Sequence, residues 1–454
     1  MLLKLKKYAH VCSRDSSKRL FQYINHYAKR TYVDLKAVNI QNSLYPTDKL
    51  TNVTTKIISK IGKDLHNRKS HPLNLIRLQI QNYFYKSFAN RSGNPLFAVF
   101  DNLNPVVTVQ QNFDSLLVPK DHVSRSASDT YYVNSETLLR AHTSAHQADL
   151  VRSGLDAFLV VGDVYRRDAI DSSHYPVFHQ MEGVRLLTDY ELFKNVTNGD
   201  ILSLFEDGSR TPKKQERHTL EAAILVEHEL KQSLLGMAHA LFGKDVESRW
   251  VDAYFPFTHP SYELEIKYQD KWMEVLGCGI MEQQLLDAAG AKSSIGWAFG
   301  LGLERLAMKL YDIPDIRLFW SDDSGFLSQF DVKDPSKRIK YKVRWFQFPV
   351  TISILTLYPI SMFPQCTNDM AFWIPEHFTS NDFYDLVRTV GGDVVEQVSL
   401  ADEFFHPKKK QTSHCYRIVY RHMEKTFTQE EVNEIHSQIE DAAMKELGVQ
   451  IRTK

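Results

Sequence analysis

Val161-Gly162-Asp163-Val164-Tyr165-Arg166-Arg167-Asp168 and, after a polar interval, Phe178-His179-Gln180-Met181-Glu182-Gly183 are the segments on which the reading of this chain turns. The first begins apolar and ends basic. The second alternates. Together they spell a strand, a polar loop and a returning strand. An arginine at a strand end can grip a phosphate with two parallel N–H donors. Phe178 offers a face on which a base can stack. Gln180 and Glu182 lie two apart, so they share one face of a strand and can hold one ammonium group together. Taken alone, the pattern also fits a β-hairpin with surface charges.

Three further clusters follow the same logic. Gly296-Trp297-Ala298-Phe299-Gly300-Leu301-Gly302 precedes Leu303-Glu304-Arg305. It reads as a glycine-rich turn entering a helix, where close backbone approach and the helix N-terminus favour phosphate. Leu303, Leu306, Ala307 and Leu310 would form that helix's core face. There is no GxxxxGK[ST] and no GxGxxG, which excludes a P-loop and a Rossmann fingerprint. Tyr254-Phe255-Pro256-Phe257-Thr258 could wall an apolar pocket or simply pack in a core. Leu139-Arg140-Ala141-His142-Thr143-Ser144-Ala145-His146-Gln147 is a polar set suited to a small ligand, or to satisfied interior histidines.

Around these clusters the 454-residue chain is 43% hydrophobic and 24% charged, the composition of a globular protein with real cores. No uncharged apolar run is long enough to cross a membrane as a helix. Four cysteines (Cys12, Cys278, Cys366 and Cys415) form no CxxC pair, so a reduced setting without structural metal is expected. The net charge is zero but uneven. Residues 1–30 hold Lys4, Lys6, Lys7, Arg14, Lys18, Arg19, Lys29 and Arg30 against Asp15 alone. A basic, acid-poor amphipathic start is the pattern of a mitochondrial transit peptide; a basic surface arm is the alternative.

The periodicity predicts a helix opening at His71-Pro72-Leu73, with Leu73, Ile76, Ile80 and Phe84 on one face. It predicts a second helix over 215–241, and strands over 96–100, 157–165, 183–187, 263–268 and 272–277. Few βαβ alternations among these strands indicate a mainly antiparallel α+β fold. The polar stretch 321–344 reads as a linker. Its basic run Lys333, Lys337, Arg338, Lys340, Lys342 and Arg344 is either a solvated connector or an RNA-phosphate contact. The last hundred residues read strand (371–374), helix (380–390), strands (394–400 and 415–420), helix (429–447) and strand (449–452). That order, βαββαβ, is ferredoxin-like. Thr428 with Glu431 makes a capping box.

Taken together the clusters resemble the phenylalanyl-tRNA synthetases, a family of class II aminoacyl-tRNA synthetases. Tyr165-Arg166-Arg167-Asp168-Ala169 with Phe178-His179-Gln180-Met181-Glu182-Gly183 is similar to the family's second motif. Gly300-Leu301-Gly302-Leu303-Glu304-Arg305 is similar to its third. Phe255-Pro256-Phe257-Thr258 resembles its phenylalanine pocket, and Asp382-Phe383-Tyr384-Asp385-Leu386-Val387-Arg388 its ferredoxin-like anticodon-binding domain. The resemblance covers residues 70–454. A catalytic module and that domain fused in one chain resemble the monomeric, mitochondrial branch of the family. The implied division is 1–30 transit peptide, 31–70 N-terminal extension, 71–320 catalytic domain, 321–358 linker and 359–454 anticodon-binding domain. Within the linker, the mostly apolar residues 343–358 interrupt the family's short junction and read as an insert.

The resemblance also implies roles. ATP would be bound by Arg166, Asp168, His174, Phe178 and Arg305, with Arg166 on the α-phosphate, Arg305 on the γ-phosphate and Phe178 on adenine. Phenylalanine would be bound by His142, Ser144, Gln147, Gln180 and Glu182 at its polar end. Phe255, Phe257 and Ala298 would enclose its ring. Glu274 would be a carboxylate for Mg²⁺. The implied partners are ATP, phenylalanine and tRNA(Phe), with no membrane, and the implied place is the mitochondrial matrix. The chain has no room for the large editing module of the family's heterotetramers. Misformed tyrosyl-tRNA added to the protein is therefore expected to persist at its uncatalysed rate, as a hydrolysis assay would read; rapid clearance would contradict this.

Overall fold

The computed structural model describes residues 37–322, 324–342, 363–422 and 425–452. The basic leader, Cys12, Arg344 and the insert 343–358 lie outside the described residues. In chain order the first unit contains α1 (Pro72–Ser87), β1 (Ala98–Phe100), β2 (Ala157–Tyr165), β3 (Val177–Thr188), α2 (Leu220–Phe242), β4 (Ser248–Phe255), β5 (Thr258–Tyr268), β6 (Lys271–Met281), β7 (Ser294–Gly302) and α3 (Leu303–Tyr311). The seven strands make one sheet in the order β1-β2-β3-β7-β6-β5-β4. β1 runs parallel to β2, and the other neighbours are antiparallel.

Local chemistry accounts for the elements. His71 caps α1 by accepting the Leu73 N–H, and Pro72 occupies the first turn, where a missing N–H costs nothing. Leu73, Ile76, Ile80 and Phe84 are all buried, on the face their spacing predicts. β2 is buried at every position, which explains why it reads as a near-continuous apolar run. On β3, Met181 joins the core beneath α1 and α2, while its neighbours Gln180 and Glu182 point to the opposite face. Phe84 stacks on Phe299 of β7 at 5.3 Å and meets Phe97 at 5.0 Å. Gly183 lies against the Phe299 ring, where a side chain would collide, so this core needs a glycine there.

Three expectations change. The helix expected over 215–241 begins at Leu220, because the Thr219 hydroxyl caps it by accepting the Ala222 N–H. Gln215 is instead committed to the His259 and Met281 carbonyls. The glycines from Gly296 to Gly302 form a strand and not a turn. β7 pairs continuously with β3 from Ser294 opposite Thr188 to Gly302 opposite Gln180, and the helix starts only after it. The stretch 321–344 is more than a connector. Phe326 and Phe330, four apart, are fully buried and pack with Tyr341 and Tyr311. Of its described basic residues, Lys340 pairs with Asp312 at 2.6 Å. Cys278, Cys366 and Cys415 are free thiols.

The second unit is β8 (Cys366–Trp373), α4 (Ser380–Gly391), β9 (Val395–His406), β10 (Gln411–Tyr420), α5 (Gln429–Glu446) and β11 (Gln450–Ile451). Its antiparallel sheet runs β9-β10-β8-β11, and the capping box at Thr428 and Glu431 is formed. Phe372, Phe383, Tyr416 and Ile439 fill its core. Ile170, from the loop after β2, inserts into that same core. Around it the contact is polar: Arg167 pairs with Asp382 at 2.8 Å, Tyr131 donates to Asp385 at 2.8 Å, and Arg388 donates to the Asp168 and Ala169 carbonyls. The loop carrying Arg166 to Asp168 is thus held from both units. Phe84→Ala, which removes the most connected ring of the first core, should cost about 3–5 kcal/mol. A lowered urea midpoint of the first unit's transition would report it, and an unchanged midpoint would contradict it.

Candidate functional site

The site lies on the sheet face opposite α1 and α2, across β2, β3, β7 and β6. Register decides which side chains face it. Glu182 stands opposite Gly300, Gln180 opposite Gly302 and Val184 opposite Ala298. On the next strand Gly277 and Gly279 stand opposite Gly300 and Ala298. A central acidic and amide pair therefore adjoins a floor of glycines and one alanine. The Phe255 ring occupies the space over Gly277, where a Cβ would come within 2.6 Å of it. Phe257 stacks on Phe255 at 6.0 Å, and His142 approaches Phe257 at 6.4 Å. The result is a wall of two aromatic rings beside a polar end.

That polar end converges on Glu182, which is 3% exposed. Its carboxylate accepts from the Ser144 hydroxyl at 2.5 Å, from Thr143 at 3.2 Å and from the Gln147 amide. Gln180 accepts the Thr143 N–H at 3.3 Å. Burial pushes the Glu182 carboxyl up from 4.5 to about 7, against the lowering effect of those three donors. Burial, helped by the charge of Arg166, takes His142 down from 6.5 to about 3, so it is neutral. Its Nδ1 is buried without a hydrogen-bond partner.

Beyond the polar end lies a cationic region. Arg166 directly follows β2. Its Nε donates to the Ala141 carbonyl at 2.8 Å, and its guanidinium lies 5.2 Å from the Phe178 ring centre. Burial and the nearby Arg305 lower its pKa, and Asp168 and Glu274 oppose that. Arg305, in the first turn of α3, pairs with Glu274 of β6 at 2.8 Å. Glu263 of β5 is raised above its ordinary value by burial and by the neighbouring Glu274 charge. Asp168 accepts the Ala169 N–H, and His174 pairs with Asp171 on an exposed loop at 2.7 Å. His174 and Arg305 are the two expected site residues that are exposed and not buried. Among the described residues no three metal-binding side chains converge.

Several residues that shape the site stood within the clusters read from the sequence without a role of their own. Thr143 and Asn112 orient Gln180, Glu182 and the Ala141 N–H. Arg140 is fully buried and grips Asp163 at 2.7 Å. Glu304 accepts the His179 N–H and its ring Nδ1–H, which ties α3 to β3 and so aims Arg305. Glu304 was readable as a signal, since it is a charged neighbour of Arg305 on the helix's apolar side.

Comparisons with known proteins follow this geometry. Residues 52–205 and 216–330 match the model of the tRNA synthetases class II core domain (F), and residues 361–452 match the ferredoxin-fold anticodon binding domain. The chain is 56% identical to "Phenylalanine--tRNA ligase, mitochondrial" of Rattus norvegicus, covering 92% of this chain and 90% of that one. It is 55% identical to "Probable phenylalanine--tRNA ligase, mitochondrial" of Drosophila melanogaster, with 91% and 92% covered. The Saccharomyces cerevisiae protein "Phenylalanine--tRNA ligase, mitochondrial" is 38% identical, with 93% and 97% covered.

Proposed function

We propose a residue-level mechanism on the premise that this chain belongs to the phenylalanine–tRNA ligases of the class II synthetases, with a ferredoxin-fold anticodon-binding domain. The protein is an enzyme that joins phenylalanine to tRNA at the expense of ATP. The three relatives named above carry a mitochondrial name, and the matrix is the compartment we assign, with a monomer acting on tRNA(Phe). The buried carboxylate of Glu182 is the observation that most supports the assignment of roles.

Glu182 and Gln180 receive the ammonium of phenylalanine. Ser144, Thr143 and Gln147 hold that carboxylate in place, and neutral His142 offers a polar edge without adding charge. The ring enters the chamber of Phe255 and Phe257, which favour edge-to-face contact, and rests on Ala298. A larger residue at 298 would occupy the ring's space. Apolar walls reject the extra hydroxyl of tyrosine only modestly.

ATP lies along the cationic region. Phe178 stacks on adenine, Arg166 binds the α-phosphate and Arg305 the γ-phosphate, with Asp168 and His174 at the nucleotide's edge. The phenylalanine carboxylate attacks the α-phosphorus and pyrophosphate departs, leaving phenylalanyl-adenylate. The ribose 2′-hydroxyl at the tRNA 3′ end then takes the acyl group and AMP leaves. No side chain need act as a dedicated base in activation, since positioning and charge neutralisation lower the barrier. Glu274, with Glu263 beside it, fits Mg²⁺, a hard cation usually held by one or two carboxylates and substrate phosphates. When bound, Mg²⁺ supplies further neutralisation of the phosphates.

Amino-acid-dependent ATP–pyrophosphate exchange tests the assignment. Phenylalanine should support exchange and tyrosine should support it more weakly. Arg166→Ala should lose on the order of 10²–10³-fold in rate, as when a preorganised transition-state donor is removed. Exchange undiminished in that variant would sink the role given to Arg166.

The Glu182 carboxyl adds a pH test. Its pKa of about 7 keeps it largely protonated at pH 6 and ionised at pH 8. Only the ionised form attracts an ammonium group, so KM for phenylalanine should fall roughly tenfold from pH 6 to pH 8. Glu182→Gln should raise KM and flatten the profile. A profile that keeps its slope in Glu182→Gln would assign the titration to another group.

A further inference from the structure

Residues 206–218 form a small hairpin outside the main sheet. Glu206 N–H donates to Arg217 O at 2.9 Å, Gly208 N–H to Glu216 O at 3.1 Å and Thr211 N–H to Lys214 O at 3.0 Å. Positions 206–215 fall between the two stretches matched by the class II core. The hairpin nevertheless grips both passages of chain beside the aromatic wall. Gln215 donates to the carbonyls of His259 at 2.8 Å and Met281 at 2.9 Å, and accepts the Gln283 N–H at 2.8 Å. The Thr211 carbonyl meets His259 Nε2 at 2.7 Å.

Arg210 makes the most specific of these contacts. Its two terminal nitrogens donate to the two oxygens of Glu282 at 2.9 and 2.7 Å, and its Nε donates to Glu216 at 3.0 Å. Glu282 is buried, and its N–H donates to the Phe257 carbonyl at 3.0 Å. A planar fork on a carboxylate fixes orientation as well as distance. The chain of contacts therefore runs from Arg210 to Glu282 to the backbone of Phe257. Removing the arginine leaves a buried carboxylate unpaired, and such a group moves toward water. Arg210 itself is 42% exposed along its side chain, so its loss opens no core.

We propose that residues 206–218 are a clasp, and that Arg210 is a positioning residue acting through Glu282 to set the aromatic wall of the phenylalanine chamber, its affinity and its margin over tyrosine. The proposal rests on the reading of Phe255 and Phe257 as that chamber. Arg210 touches neither the phosphate region nor the ammonium end. Its effect belongs to amino-acid binding and not to ATP.

The test is pyrophosphate exchange on the full chain, with phenylalanine and tyrosine varied separately from ATP. Arg210→Ala should raise KM for phenylalanine about tenfold while kcat and KM for ATP stay within about twofold, a split that marks lost binding and not lost chemistry. The ratio of kcat/KM for phenylalanine over tyrosine should narrow. Arg210→Lys keeps the charge without the fork and should fall between. Glu282→Gln, which keeps the volume, should give the same split, and adding Arg210→Ala to it should change nothing further. Unchanged KM and tyrosine margin in Arg210→Ala or Glu282→Gln would overturn the clasp, as would an equal rise in KM for ATP. Exchange by the unsubstituted chain reports separately on the chamber, since the clasp is read only from ratios between variant and parent.

Discussion

The register of β3 between β2 and β7 is the constraint on which the rest depends. Side chains alternate along a strand, so a slip of one residue would send Glu182 into the apolar core and Met181 into the site. What prevents the slip is two-sided. Met181 and the Phe299 ring over Gly183 fill one face, and the hydroxyls of Ser144 and Thr143 with the Gln147 amide claim Glu182 on the other. The same alternation puts His179 back on the core side, where Glu304 holds it. The placing of a buried carboxylate in the candidate site and the packing of the core are therefore two consequences of one strand.

The charged groups around the candidate site also hold backbone in place. Glu304 anchors α3 to β3, and the next residue, Arg305, projects from the same turn toward Glu274. Arg166 and Arg167, adjacent in sequence, point to different duties. Arg166 leans on Phe178 beside the site, and Arg167 is spent on Asp382 and Asp385 of the second unit. With Ile170 buried in the second unit's core, the loop that carries Arg166 is also a joint between units.

Much of this was legible from short-range patterns. The face of α1, the strand over 157–165, the βαββαβ order of the last hundred residues and the Thr428–Glu431 cap all follow from spacing and from local hydrogen bonds. So did the grouping of Gln180 with Glu182, since two residues apart on a strand share a face. Other readings failed where a distant partner decides. Gly296 to Gly302 looked like a turn because glycine is permissive, but pairing with β3 turned it into a strand. The helix thought to begin at Gln215 begins later, since that amide is drawn to carbonyls near His259 and Met281. Phe326 and Phe330 looked like part of a linker because their neighbours are polar, and only the Tyr311 and Tyr341 rings reveal them as core.

The sequence by itself determined the α+β class, the two units in their order, and the chemical kinds of residue that meet at the site. These are properties of periodicity and of residue type, which do not depend on what lies across the sheet. The tertiary structure alone decided that Glu182 is buried enough to titrate near neutrality, that Thr143, Arg140 and Glu304 support the site, and that residues 206–218 reach the aromatic wall. Each of these rests on contacts between residues far apart in the chain. Burial and desolvation are set by everything that surrounds a group, and no local pattern records them.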